Sequence, residues 1–85
     1  MSLKLRYFAW VRERVGKTDE TIDVPPDITT VAELMTWLAS RSEEYAYAFN
    51  NAKIIRAAID QKHVPADAVI KGAGEIAFFP PMTGG

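Results

Sequence analysis

The stretch TVAELMTWLA, residues 30–39, decides the fold of this chain. Thr30 followed three residues later by Glu33 is a capping-box pattern, which marks the start of a helix. The apolar residues that follow fall at helical spacing and would form one buried stripe, made of Val31, Leu34, Met35, Leu38 and Ala39. Residues 30–39 therefore predict an amphipathic helix whose Leu34, Met35 and Leu38 lie in the core.

The segment before this helix predicts a β-hairpin. Its first strand alternates between two faces, with Leu3, Leu5, Tyr7 and Ala9 on one and Lys4, Arg6, Phe8 and Trp10 on the other. If the face with Leu3 points inward, Phe8 and Trp10 point outward. Residues 11–15 can add a turn of helix that Gly16 ends. Residues 20–24 predict the returning strand, which ends at Pro25 because proline donates no hydrogen bond to a sheet.

The segment after the main helix predicts a short helix and further strands. Ser42 can cap a helix that runs through Phe49. Residues 53–59 are rich in strand-forming residues, residues 60–62 offer a turn, and residues 64–65 allow only a brief return strand. The last strand spans residues 76–79, after a glycine-rich turn at residues 72–74. This order predicts an α+β fold in which one sheet packs one face on the main helix.

The composition indicates one small domain. The 85 residues are 48% hydrophobic, with four Phe, three Tyr and two Trp, which is enough for one core. Without cysteine there is no disulfide framework and no thiolate metal site. Ten basic against eleven acidic residues argue against a nucleic-acid partner. No stretch approaches the ~18 apolar residues of a membrane span. We expect a cytoplasmic protein without nucleic-acid or membrane partners and without a metal site.

Side chains with catalytic potential are scattered along the chain. His63 is the only histidine, and one histidine among dispersed carboxylates forms neither a metal-ligand cluster nor a catalytic triad. Glu43 and Glu44 are adjacent and point to different sides of a helix, so they are a poor acid–base pair. His63 is interpreted as a surface or hairpin residue, and we do not expect this chain to catalyse a reaction alone.

The C-terminal segment PPMTGG, residues 80–85, is the unusual part of the sequence. Two prolines forbid continuation of the last strand and two glycines leave little to pack, so a flexible tail is expected after a domain of residues 1–79. Gly84 and Gly85 would let bare backbone pass through a narrow channel in a partner. A carboxylate is a poor electrophile, so chemistry at Gly85 would need activation, for instance by attack on the α-phosphate of ATP. A frayed end without a function is the alternative.

Two segments resemble a known family. FFPPMTGG at residues 78–85 is similar to the FFPPxxGG ending of the sulfur-carrier subunits of molybdopterin synthase, the MoaD type of the MoaD/ThiS ubiquitin-like family. YFAWVRERVG at residues 7–16 resembles the FFAxxRExxG segment of the same family. The tail alone is shared in part with thiamine sulfur carriers and other ubiquitin-like proteins. Because both segments and the element order agree, the resemblance covers essentially the whole chain.

The resemblance implies a β-grasp, ubiquitin-like fold with a mixed sheet on one main helix. It also implies that an E1-like enzyme adenylates Gly85 with ATP and that a sulfur donor protein converts the adenylate to a thiocarboxylate. The large catalytic subunit would then transfer the sulfur to a pyranopterin precursor of the molybdenum cofactor, in an assembly that is usually a heterotetramer. The inserted arm would comprise Pro80, Pro81, Met82, Thr83 and Gly84. In that family the catalytic side chains belong to the large subunit, so this chain would be a carrier that binds no cofactor itself.

The resemblance also implies a docking surface. Phe8 aligns with an exposed aromatic residue that packs on both partners, and Phe79 would join it in a hydrophobic patch. Arg12 would supply a polar contact at the rim, and His63 stands where an apolar residue is common. Phe79 can equally be a core residue, and Trp10 is a weaker candidate for the patch.

Three other functions stay open from the sequence. The chain could be a thiamine-type sulfur carrier, although the doubled phenylalanine and proline of residues 78–81 favour the molybdopterin synthase type. It could be a ubiquitin-like modifier whose terminal glycine forms an isopeptide bond with a lysine. It could also be an interaction module in which the Gly-Gly ending is incidental.

Overall fold

Five strands, three α-helices and one 3₁₀ turn form the part of the chain that the computed structural model describes, residues 1–81. In chain order they are β1 (Ser2–Tyr7), α1 (Ala9–Val15), β2 (Asp19–Asp23), α2 (Val31–Ala39), α3 (Glu43–Ala48), the 3₁₀ turn (Ala52–Ile54), β3 (Arg56–Ile59), β4 (Lys62–Val64) and β5 (Glu75–Phe79). β5 ends at Phe79, and residues 82–85 lie outside the described part, so the predicted boundary after residue 79 stays a prediction.

The strands form one mixed sheet in the order β2-β1-β5-β3-β4. β1 and β5 are parallel, whereas the other neighbouring strands are antiparallel. The hairpin of β1 and β2 that the alternation predicts is confirmed. The last strand of the chain thus lies at the centre of the sheet, so the segment that follows it begins between two other strands. The α+β class expected from the element order is confirmed.

The core lies between one face of the sheet and the helices. Leu3, Leu5 and Tyr7 of β1 are all almost fully buried, and so are Leu34 and Leu38 of α2. The capping box of α2 is present, because the Thr30 hydroxyl accepts a hydrogen bond from the Glu33 N–H at 3.2 Å and the Glu33 carboxylate accepts one from the Thr30 N–H at 3.2 Å. The predictions for the main helix and its core residues are therefore confirmed.

The boundary between β1 and α1 differs from the prediction. The alternation predicts a strand as far as Trp10, but β1 ends at Tyr7 and α1 already begins at Ala9. Ala9 has a left-handed backbone conformation with φ 52°, which turns the chain out of the sheet and has no signature in an alanine side chain. Gly16 ends α1 as predicted, with φ 84° and its N–H donating to the Arg12 carbonyl at 2.8 Å.

The start of β3 also differs from the prediction. Residues 53–54 belong to the 3₁₀ turn, and the strand begins at Arg56, which pairs with Phe79 of β5. Because Pro80 follows Phe79 and donates no hydrogen bond, the partner strand ends there and β3 has nothing to pair with before Arg56. The predicted turn after β3 is confirmed, and both Asp60 (φ 49°) and Gln61 (φ 73°) have positive φ values, as in a type I′ turn.

Candidate functional site

One face of the sheet is not covered by a helix, and it carries most of the residues predicted for docking. The side chains that alternate with the core residues point to this open face. On the two central strands they are Lys4 and Arg6 of β1 and Glu75, Ala77 and Phe79 of β5, all exposed or half-buried. An antiparallel or mixed sheet with one solvated face leaves such a surface available to a partner.

Phe8 lies at the end of the open face nearest to the tail. Its N–H donates to the Phe78 carbonyl at 3.1 Å, which continues the pairing of β1 with β5 by one residue. The ring is 38% exposed, and the guanidinium of Arg6 lies 5.3 Å from the ring centroid. The predicted exposure of Phe8 is confirmed, because its extended backbone (φ −128°, ψ 153°) continues the alternation of β1 by one residue, although Phe8 is already the N-cap residue of α1.

Phe79 and His63 lie next to each other on the open face. Their ring centroids are 5.0 Å apart with a tilt of 53°. The contact follows from the strand register, because His63 pairs with Ala58 of β3, and Ala58 pairs with Ala77 on the other side. Phe79 is half-buried, whereas its neighbour Phe78 is fully buried in the core. Phe79 therefore belongs to the open face. We call Phe8, His63 and Phe79 the docking patch.

Arg12 lies beside the docking patch on α1. It follows Phe8 by four residues, and its N–H donates to the Phe8 carbonyl at 3.3 Å. The Arg12 side chain is exposed on the first turns of α1. Its contact at the rim, which the resemblance implies, stays a prediction.

The strand alternation predicted for Trp10 is wrong, so its placement on the same face as Phe8 no longer follows from parity. Because α1 begins at Ala9, each residue turns by about 100° and not by the 180° of a strand. Trp10 is half-buried and packs against the core. The guanidinium of Arg14 lies 4.4 Å from the Trp10 ring and 4.3 Å from that of Tyr47 on α3. This stack belongs to the contact between α1 and α3.

The tail begins at the same end of the sheet as the docking patch. Pro80 and Pro81 are half-buried and directly follow Phe79. The remaining predicted tail residues, Met82, Thr83, Gly84 and Gly85, lie outside the described residues. Because β5 is the central strand, the tail starts between β1 and β3 and close to Phe8, Phe79 and Arg56.

The sequence reasoning missed a polar cluster on the opposite face of the sheet, around Glu20 of β2. The Glu20 carboxylate accepts hydrogen bonds from the hydroxyls of Tyr7, at 2.8 Å, and Tyr45. Lys17 and Arg41 complete the cluster with ion pairs to Glu20 at 3.3 and 3.5 Å. The signal was present in the sequence, because Glu20 shares its parity with the inward-facing Ile22.

The groups around Glu20 explain why its carboxylate stays ionised although it lies next to the core. Partial burial raises the pKa of Glu20, but hydrogen bonds from two tyrosines and Lys17 outweigh burial and hold the pKa below its ordinary value. The pKa of the Tyr7 hydroxyl is strongly raised by burial and by its bond to Glu20. Among residues 1–81, no buried side-chain nitrogen or oxygen atom lacks a hydrogen-bond partner, so the cluster has the character of a structural tie between elements and not of a reactive site.

Within residues 1–81, no three His, Asp or Glu side chains come together in an arrangement that could hold a metal ion. In that same part of the chain, no helix is long and apolar enough to cross a membrane. His63, the only histidine, lies on the exposed side of β4 against Phe79. The surface feature left to explain is the docking patch at the start of the tail.

Comparisons with known proteins agree with this arrangement. The chain is 42% identical over 83 residues to the molybdopterin synthase sulfur carrier subunit of Escherichia coli, covering 98% of this chain and 99% of that protein. It is 35% identical over 83 residues to the protein of the same name from Haemophilus influenzae, with the same coverage. The crystal structure of SAMP1 from Haloferax volcanii is similar in fold, with a TM-score of 0.72 at 21% identity, and each chain is covered completely.

These similarities confirm the expected fold and family. The likeness to SAMP1 and the five-stranded mixed sheet on its helices confirm the β-grasp, ubiquitin-like fold. The model of the ThiS family matches residues 5–85, which includes both the segment around Phe8 and the Gly-Gly ending. This chain therefore belongs to the ThiS family, in which the MoaD-type sulfur carriers are its curated relatives.

Proposed function

We propose that this chain is the sulfur carrier subunit of molybdopterin synthase, acts in the cytoplasm and carries sulfur on the carboxyl group of Gly85. The observation that carries the proposal is the full-length similarity to two curated subunits of that name. The geometry supports it, because the tail begins at the centre of the sheet and beside the exposed docking patch. A partner that covers the patch would receive the tail at the same time.

Activation of Gly85 accounts for the chemistry. An E1-like partner would bind ATP and let a Gly85 carboxylate oxygen attack the α-phosphate, which releases pyrophosphate and leaves an acyl-adenylate. The terminal sulfur of a persulfide on a donor protein would then attack the acyl carbon and displace AMP, giving an acyl disulfide, and a thiol would reduce the S–S bond and release the thiocarboxylate. The adenylate is needed because a free carboxylate is a poor electrophile. ATP belongs to the activating partner, and this chain supplies the acyl group.

Transfer takes place in the large subunit. The arm of Pro80, Pro81, Met82, Thr83 and Gly84 would enter its active site and present the terminal sulfur to the pyranopterin precursor. Phe8, His63 and Phe79 would pack on the large subunit outside that site, with Arg12 at the rim. Exposed aromatic residues and arginines are the residue types that dominate binding energy at interfaces. Two such pairs of subunits would form the heterotetramer, with the large subunits at its centre.

Deletion of Gly85 tests the proposal. The deletion is expected to abolish sulfur transfer to the precursor in a mixture of activating enzyme, ATP, sulfur donor and large subunit. We expect the fold to stay intact, because the buried core side chains that the structure describes in residues 1–81 lie between Leu3 and Phe78. Thermal unfolding checks that point. Lys71→Ala, at the end of the sheet away from the tail, is the control and is expected to keep full transfer.

Three outcomes contradict the proposal in different ways. Full transfer by the truncated chain would make the Gly-Gly ending incidental. Gly85 could be loaded with sulfur and pass it to a thiamine precursor but not to the pyranopterin precursor in the large subunit. That result would indicate the thiamine-type carrier. Covalent attachment of Gly85 to lysines of other proteins would indicate a modifier.

A further inference from the structure

Three positively charged residues surround the point where the tail begins. Arg56 is paired with Phe79 across the sheet, and Lys53 lies in the 3₁₀ turn just before it. Arg12 lies on α1, one turn after Phe8. All three side chains are exposed, and none of them forms an ion pair within residues 1–81. We call Arg12, Lys53 and Arg56 the basic rim.

The positive charge of the basic rim is local. The whole chain has a formal charge of −1, so the rim does not reflect a basic protein. Two carboxylates near the open face, Glu75 and Asp60, already have partners within this chain. Glu75 pairs with Arg6 at 3.8 Å, and Asp60 accepts the N–H groups of Gly74 and Glu75 at 3.1 and 3.0 Å. Asp60 and Asp23 lie at the other end of the sheet, where β1 and β5 begin.

The layout of the basic rim matches the anatomy of a binding site. Interfaces commonly have an apolar centre and a polar rim, and here aromatic residues of the docking patch are flanked by cations. Arg56 is partly ordered in advance, because its Nη1 donates to the Lys53 carbonyl at 3.5 Å. A side chain that is already held loses less conformational freedom when a partner binds.

We infer that the large subunit carries carboxylates at the surface that surrounds its tail-binding channel, and that these carboxylates face the basic rim and orient the carrier domain as it docks. The inference rests on the proposed function and adds the chemistry of the partner surface. Complementary charge raises the association rate more than it lowers the dissociation rate, and it does so strongly at low ionic strength. The carrier has to find its large subunit after each reloading, so the association rate is the quantity that the basic rim affects.

Association kinetics with the purified large subunit test the inference. The test variant is Lys53→Gln with Arg56→Gln, and the matched control is Lys4→Gln with Lys71→Gln. Both lower the net charge by the same amount, but the control positions lie toward the other end of the sheet. At ~0.01 M salt we expect the test variant to associate about fivefold to tenfold more slowly than the natural chain. The control is expected to change the rate by less than about twofold, and at ~1 M salt all three rates should converge. Thermal unfolding verifies that both variants are folded.

The outcomes separate this inference from the proposed function. If the natural chain binds the large subunit at a rate that does not depend on salt, or if test and control variants slow equally, the acidic surface around the channel is wrong and the sulfur carrier role stands. A faster association of the test variant would indicate a basic surface around the channel, which also overturns the inference. If the natural chain does not bind the large subunit at all, the proposed function fails and the inference fails with it.

Discussion

Phe8 combines an exposed side chain with a backbone that is held in the sheet. Its ring is 38% exposed, yet its backbone is fixed by the hydrogen bond to Phe78. We therefore expect Phe8→Ala to weaken binding to the large subunit by about 2 kcal/mol, or about thirtyfold in Kd, as for an aromatic hot spot. The free energy of unfolding should fall by less than the binding energy does. Calorimetric binding and urea denaturation measure the two quantities.

The control for Phe8 is Tyr47→Ala. Tyr47 is also an exposed aromatic residue, at 56%, but it lies on α3 and stacks on Arg14. It is expected to leave Kd unchanged. A large loss of stability for Phe8→Ala with an unchanged Kd would place Phe8 in the core and remove it from the docking patch.

Gln61 tests the backbone of the turn between β3 and β4. Its φ of 73° is a left-handed conformation in which a side chain is disfavoured, and glycine is the favoured residue at this position of a type I′ turn. Gln61→Gly is expected to raise the free energy of unfolding by about 0.5–1 kcal/mol. Ala66→Gly, in an exposed turn without a positive φ, is the control and is expected to lower it. Denaturant midpoints of the two variants measure these changes in stability. An equal loss of stability in both variants would show that the backbone at Gln61 is not strained.

Helices and strands can be predicted from the sequence where their formation depends only on their own residues. The α2 helix was predicted from its capping box and periodicity because both are encoded within ten residues. The β1–α1 boundary was not, because the left-handed Ala9 has no local signature. The contact between His63 and Phe79 depends on three strands that pair across the chain, so its placement required the sheet register. The docking residues could be named from the resemblance, but their common surface could not.

The Glu20 cluster joins β1, β2 and the N-terminal part of α3 through one carboxylate. Replacement by Glu20→Gln keeps the size of the side chain but removes the charge that two tyrosines, Lys17 and Arg41 surround. We expect the free energy of unfolding at neutral pH to fall by about 1–3 kcal/mol, because partly buried donors lose a charged acceptor. Glu13→Gln, on the exposed side of α1, is the control and should have little effect. Urea denaturation provides the comparison.

The same cluster predicts an acid dependence of stability. The pKa of Glu20 is lower in the folded chain than the ordinary value of 4.5, so its stabilising contribution is complete above that pH. The contribution is lost as the pH falls through the lower, folded pKa. The natural chain should therefore lose stability below about pH 4.5 more steeply than Glu20→Gln does. Parallel acid profiles of the two proteins would show that another carboxylate is responsible.

The two faces of the sheet differ in what substitutions on them are expected to affect. One face holds the core and the Glu20 cluster, and substitutions there should act through stability. The other face holds the docking patch, and the basic rim surrounds its end where the tail begins. The central strand β5 joins the two faces, because Ile76 and Phe78 lie in the core whereas Phe79 lies on the open face.

Above all, we propose that Gly85 carries sulfur. The most direct measurement is the intact mass of the chain after incubation with its activating enzyme, ATP and a sulfur donor, with fragmentation to locate any change. We expect a gain in mass equal to the replacement of one oxygen atom by one sulfur atom, located at Gly85 and absent when ATP is omitted. An unchanged mass, with the enzyme and the donor shown to be active on another carrier, would contradict it.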